Sequence, residues 1–136
     1  MELDAIARVQ ASLAQIRPHE AAFITLFYNR LFALDPALRP FFPDDVTAHG
    51  LLVLTMLRQG VAGLGTPAAI IPAVKDVGRA HARHGVQPHH YHAFGQALLW
   101  TLAQLLGDAF TPDLADAWQE AFYLLAGLMK EAARSP

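Results

Sequence analysis

Cysteine is absent from this chain of 136 residues, which excludes a disulfide framework, a thiolate metal site and a thiol nucleophile. Charge is scarce as well. Asp, Glu, Lys and Arg together supply 16% of the residues and the formal net charge is -2, so no basic excess argues for nucleic acid as a partner. Long apolar runs are missing: Arg, Gln, Gly or Pro interrupts each one before the roughly twenty residues needed to span a bilayer. The opening MELDAIARVQ carries acidic residues where a secretory leader carries basic ones, and the expected location is therefore cytoplasmic, with no membrane partner. Strand-like alternation is also lacking.

What is present is apolar and helical. Hydrophobic residues reach 54%, enough for one real core and for additional apolar surface that a ligand would cover. The length suits a single domain over residues 1–136, without linker or internal repeat. Periodicity near 3.6 predicts an all-α protein of about seven helices, one of them very short. Ile6, Val9, Leu13 and Ile16 mark a first helix over 3–17, ended by Pro18, and a second runs from His19 to Leu34. DPALRPFFP brackets the short one, since Asp35 can cap it and Pro36 suits its first position, whereas Pro40 and Pro43 stop it. Asp45 or Thr47 caps the next helix, which ends among Gly60, Gly63 and Gly65. Another restarts at Pro67, is kinked or shifted by Pro72, and ends at Gly85; a long one follows from Pro88 to about Gly107, and a last one opens at Thr111.

Two histidines stand out. His49 heads the stripe His49, Val53, Met56 and Gly60, and His81 follows Ile70, Val74 and Val77 on the next helix. If the glycine-rich bend between them folds the chain back, the facing stripes enclose an apolar slot with one imidazole on each wall, suited to a flat apolar cofactor that needs an axial nitrogen. Taken singly, each histidine also reads as an ordinary packed side chain. Zinc is disfavoured: His81 and His84 are three apart, but no third ligand falls at matching spacing. His89, His90 and His92 in PHHYHAF read as a polar helix start, with Tyr91 and Phe94 on the inner face.

HGLLVLTML resembles the distal-helix segment of myoglobin, and FYNRLFALDPALRPFF with IIPAVKDVGRAHARHGVQPHHYHAFGQALL resembles the bacterial single-domain globins of the Vitreoscilla haemoglobin and flavohaemoglobin lineage. The short spacing from Phe42 to His49 and the interval to His81 are similar to the Hell's Gate globin type. The resemblance covers essentially the whole chain and implies a globin fold, helices packed three-on-three around haem b. By position, His81 is similar to the proximal iron ligand, and the Gly85-Val86 pair follows it as in the bacterial globins. Phe42 matches the ring that packs on the porphyrin, with Phe41 the weaker alternative. Tyr28 matches the distal tyrosine, and His49 and Val53 match the positions over the iron. Val77, Val86, Tyr91 and Phe94 complete the implied cofactor contacts. Arg79, Arg83 and His84 are candidate partners of the haem propionates because they lie near His81.

The resemblance implies reversible binding of dioxygen, NO and CO at ferrous iron, with Tyr28 and His49 both able to donate a hydrogen bond to the ligand and so to give high affinity. Three departures bear on this. The bacterial family commonly has glutamine where His49 stands, and a histidine there either hydrogen-bonds the ligand or coordinates iron as a second axial ligand. Flavohaemoglobins orient the proximal histidine with a tyrosine and a glutamate; Tyr91 matches the tyrosine, but the glutamate position falls at Ala133, with Glu131 nearby. No GxGxxG after a strand indicates a reductase domain, so nitric oxide dioxygenation, the enzyme alternative, needs an external reductase. A sensor role lacks an output domain, peroxidase action lacks a distal arginine, and the expected assembly is a monomer or weak homodimer.

Overall fold

The computed structural model describes residues 1–134; the last two residues of the expected 1–136 domain lie outside the described residues. Six α-helices carry the described residues: α1 Leu3–Gln15, α2 Glu20–Leu34, α3 Thr47–Ala62, α4 Pro67–Arg83, α5 His90–Leu106 and α6 Pro112–Arg134. Short 3₁₀ segments lie at Arg17–His19, Pro36–Phe41 and Gly107–Ala109, and the described residues contain no strand. The all-α expectation holds, and the segment Pro36–Phe41 is the very short helix.

Local chemistry sets some of the boundaries. Thr111 Oγ1 accepts from the Leu114 amide at 3.2 Å and caps α6. At α3 neither expected residue is the N-cap: Val46 holds that position without a side-chain cap, Thr47 is the first helical residue, and Asp45 Oδ1 accepts from the Thr47 amide at 3.0 Å just ahead of the helix. Pro72 lies inside α4 without ending it. α1 stops at Gln15, short of residue 17, and α5 begins at His90 instead of Pro88. The second shift has a visible cause: Gln87 donates its amide N–H to Nδ1 of His90 at 2.9 Å, which folds residues 87–90 into a turn.

The core lies among α1, α2, α5 and α6, with Trp118, Phe23, Phe27, Leu31, Leu102 and Val9 fully enclosed. Trp118 Nε1 donates to Ser12 Oγ at 2.8 Å, and Ser12 Oγ donates to the Val9 carbonyl at 2.8 Å, so the one polar atom of the indole is satisfied across the α1–α6 contact.

Around that core, α2 packs on α5, α4 on α6, and α3 on α1 and α2. The consecutive helices α3 and α4 are not packed closely on each other, so a gap separates them. Glycines set where each wall of the gap stands. A Cβ on Gly50 of α3 would lie 2.7 Å from Ile24 Cγ1 of α2. A Cβ on Gly78 of α4 would lie 2.5 Å from the Met129 backbone of α6. Both helices approach their supports as closely as they do only because these side chains are absent.

Candidate functional site

The α3 wall gathers four rings. Gly50 lets α3 close on α2, and the neighbouring His49 meets Tyr28, one turn after Ile24: the Tyr28 hydroxyl is hydrogen-bonded to Nδ1 of His49. Phe42, delivered by the 3₁₀ segment, stands edge-on to His49 at 4.9 Å and to Tyr28 at 5.7 Å, with Phe32 behind it at 5.4 Å. Arg39 fixes that turn by donating to the carbonyls of Phe42 and Pro43 at 3.2 and 3.0 Å. Tyr28 is only 2% exposed, and burial pushes its phenol well above the usual range, so it keeps its proton. Burial lowers the His49 pKa, so its imidazole is neutral near pH 7.

The α4 wall carries His81 in the last turn of the helix. Gly85, at φ 93°, reverses the chain, and the Val86 amide donates to the His81 carbonyl at 3.0 Å. This closes a Schellman motif, which accounts physically for glycine and then valine at those positions. Nδ1 of His81 lies 3.3 Å from the Tyr91 hydroxyl. Desolvation lowers the His81 pKa most, and the nearby His49 and His84 add to the effect. Tyr91 is buried and its pKa is raised by desolvation. Phe94 sits one turn along α5 and packs edge-on to Phe27 at 4.9 Å.

Val53, Val77, Val86, Phe42 and Phe94 are only half-buried, unlike the enclosed side chains of the core. Apolar groups left half open on facing walls fit a flat apolar molecule between them. The donor set fits haem as well. Each histidine has Nδ1 occupied by a tyrosine and no protein partner for Nε2 among the described residues, the arrangement that leaves Nε2 for iron or for a ligand on iron.

The other candidates are placed as follows. Phe41 is 50% exposed and rests on His90 at 5.6 Å, away from the Tyr28–His49 pair. Arg79 pairs with Asp76 at 3.0 Å, Arg83 is exposed, and His84 Nδ1 is turned to the Ala80 carbonyl at 2.8 Å. No carboxylate bonds to Tyr91 among the described residues; Glu131 is exposed, and Lys130 Nζ lies 5.8 Å from the Tyr91 ring centre.

PHHYHAF opens a helix, as α5 starts at His90 with His89 and His92 exposed, but His90 itself is 8% exposed and caps a turn. It groups with Asp35 and His89, whose potential ligand atoms lie within 4.8 Å of one another. Nδ1 of His90 already accepts from Gln87, so the neutral ring keeps its proton on Nε2, and metal ligation would break that turn. Gly50 and Gly78 were not singled out from the sequence; nothing in a lone glycine within a helix reveals which neighbour it lets in.

A family model for globins matches residues 25–129. Among curated proteins, the chain is 30% identical over 122 residues to a flavohemoprotein of Bacillus subtilis, covering 87% of this chain and 30% of that one. It is likewise 30% identical over 124 residues to a flavohemoprotein of Rhizobium meliloti, covering 89% of this chain and 31% of the relative. The chain thus spans less than a third of the length of these relatives. Among solved structures, an engineered carbene transferase made from a candidate nitric oxide dioxygenase of Rhodothermus marinus superposes with a TM-score of 0.86 at 26% identity, covering 99% of this chain and 94% of that one.

Proposed function

The chain belongs to the globin family, and we propose that it holds haem b in the gap between α3 and α4 and binds dioxygen, CO and NO reversibly at ferrous iron. The observation that carries this reading is the pair of imidazoles on facing walls, each tied to a tyrosine through Nδ1. Haem, when bound, supplies an iron with one position for a protein nitrogen and one for a diatomic ligand. His81 supplies the protein nitrogen through Nε2, and Tyr91 orients its ring. Phe42, Val53, Val77, Val86 and Phe94 cover the apolar faces and keep water away. His49 and Tyr28 form the polar side of the ligand position. No helix among the described residues is long and apolar enough to cross a membrane.

Nitric oxide dioxygenation is the second reading, favoured by the similarity to flavohemoproteins and to the Rhodothermus structure. It needs electrons from a reductase outside the described residues. That no carboxylate bonds to Tyr91 among the described residues favours binding over turnover, because a proximal carboxylate raises imidazole basicity and so supports electron push. The test titrates haem into the chain and follows dioxygen and CO binding, then adds NO with a flavin reductase. One equivalent of haem with reversible dioxygen binding supports the first reading; sustained NO consumption moves it to the second; no haem uptake ends both.

A further inference from the structure

Tyr28 and His49 have only two hydrogens to place, one on the phenol and one on the neutral ring. Tyr28 is 2% exposed, and its hydroxyl has no partner other than His49 Nδ1 among the described residues. Phe27, Phe32 and Phe42 surround it and accept no conventional hydrogen bond. A phenol hydrogen buried without an acceptor is costly, whereas the Nδ1 lone pair is in contact. We propose that Tyr28 acts on the ligand position through His49: its hydroxyl donates to Nδ1, which fixes the ring proton on Nε2, so that Nε2 offers an N–H to a diatomic ligand and has no lone pair for iron.

The consequence for ligand binding rests on the haem reading above; the tautomer itself does not. Tyr28 is then a positioning residue, and the two independent donors expected from the sequence become one relay, since a single phenol hydrogen cannot serve Nδ1 and a ligand together. The relay also decides how many protein ligands the iron has. The opposite tautomer, with Nδ1–H donating to the phenol oxygen, would free the Nε2 lone pair for coordination.

Two measurements test this. Ring nitrogen NMR of ¹⁵N-histidine-labelled chain, both haem-free and as the diamagnetic ferrous CO form, should place His49 Nδ1 in the unprotonated range and Nε2 in the protonated range. The reverse pattern overturns the proposal, whether or not haem binds. In the visible spectrum of haem-loaded, oxygen-free ferrous protein, wild type should give the single broad band of five-coordinate iron. Tyr28→Phe should convert a substantial fraction to the split bands of a six-coordinate form, and His49→Ala in that background should abolish them. Unchanged coordination in a folded Tyr28→Phe protein, or a six-coordinate wild type lost on His49→Ala, overturns the proposal. Failure of the chain to take up haem overturns the function reading instead, with the haem-free NMR result still deciding the tautomer.

Discussion

Each wall of the α3–α4 gap carries a histidine whose Nδ1 meets a tyrosine hydroxyl, yet the two pairs are built differently. Tyr28 is enclosed by three phenylalanines and is hydrogen-bonded to His49, whereas Tyr91 stands 3.3 Å from His81. Iron on Nε2 forces the ring proton onto Nδ1, which must then donate to the tyrosine. On the His81 side that demand disturbs a long, weak contact. On the His49 side it reverses the bond and strands the hydrogen of a phenol that is only 2% exposed. On the proposed haem reading, this difference favours His81 as the iron ligand without invoking position in the chain. The supports differ in the same sense. Gly78 places α4 against backbone of α6, which cannot yield, whereas Gly50 places α3 against the side chain of Ile24.

The largest expected asymmetry is between the two histidines themselves. His81→Ala should weaken haem retention by on the order of a hundredfold or more, at or beyond the upper end of losses seen when a metal ligand's supporting partner is removed. His49→Ala should keep haem and speed dioxygen release, by about tenfold if one hydrogen bond to the ligand is worth roughly 1.4 kcal/mol. Haem titration and stopped-flow ligand displacement measure the two. Equal haem loss in both variants would break the comparison.

The glycine supports come next. Gly78→Ala should destabilise the fold by about 1–3 kcal/mol, as overpacking against rigid backbone does, and Gly50→Ala should cost less because Ile24 can change rotamer. Urea unfolding ranks them. Gly50→Ala should also perturb the Tyr28–His49 bond while leaving the His81 side intact, a distinction visible in the histidine ring NMR.

A control on the far side of the molecule sharpens the contrast. Ser12→Ala removes the acceptor of the buried Trp118 N–H and should cost about 1–3 kcal/mol of stability. It should leave the haem spectrum unchanged; a shifted spectrum would mean that core and gap are coupled.

The smallest effect is the pH dependence of the haem-free chain. Burial lowers the pKa of both His49 and His81 from 6.5. Between the folded values and 6.5 the unfolded chain binds more protons, so this contribution is fully present above about pH 6.5 and is lost as pH falls through the lower folded values. Urea midpoints measured from pH 7.5 downward should fall, and removing both imidazoles should flatten the profile over that window. A profile that the double substitution leaves unchanged would show that neither ring is buried neutral.

Much of this was legible in the sequence. Pro67, Gly85, Thr111 and the stripe from His49 mark helices whose local signals agree with their packing, and the family resemblance brought Tyr28, Phe42, His49, His81 and Tyr91 forward together. The hidden part depends on contacts between distant segments. That Tyr28 reaches Nδ1 of His49 follows from how closely Gly50 lets α3 approach α2, and no periodicity encodes that approach. His90 looked like one of three polar residues because its burial comes from a backbone amide turning toward it and from Phe41 lying over it.

The central claim, that one wall supplies the iron ligand and the other a hydrogen-bond donor, is most directly tested by the Fe–His stretching band in resonance Raman spectra of ferrous, oxygen-free, haem-loaded protein. Five-coordinate iron with a single neutral His81 ligand should give that band in wild type, retain it in His49→Ala and lose it in His81→Ala. A band that survives His81→Ala, or a six-coordinate wild type that shows none, would contradict the division of labour between the two walls.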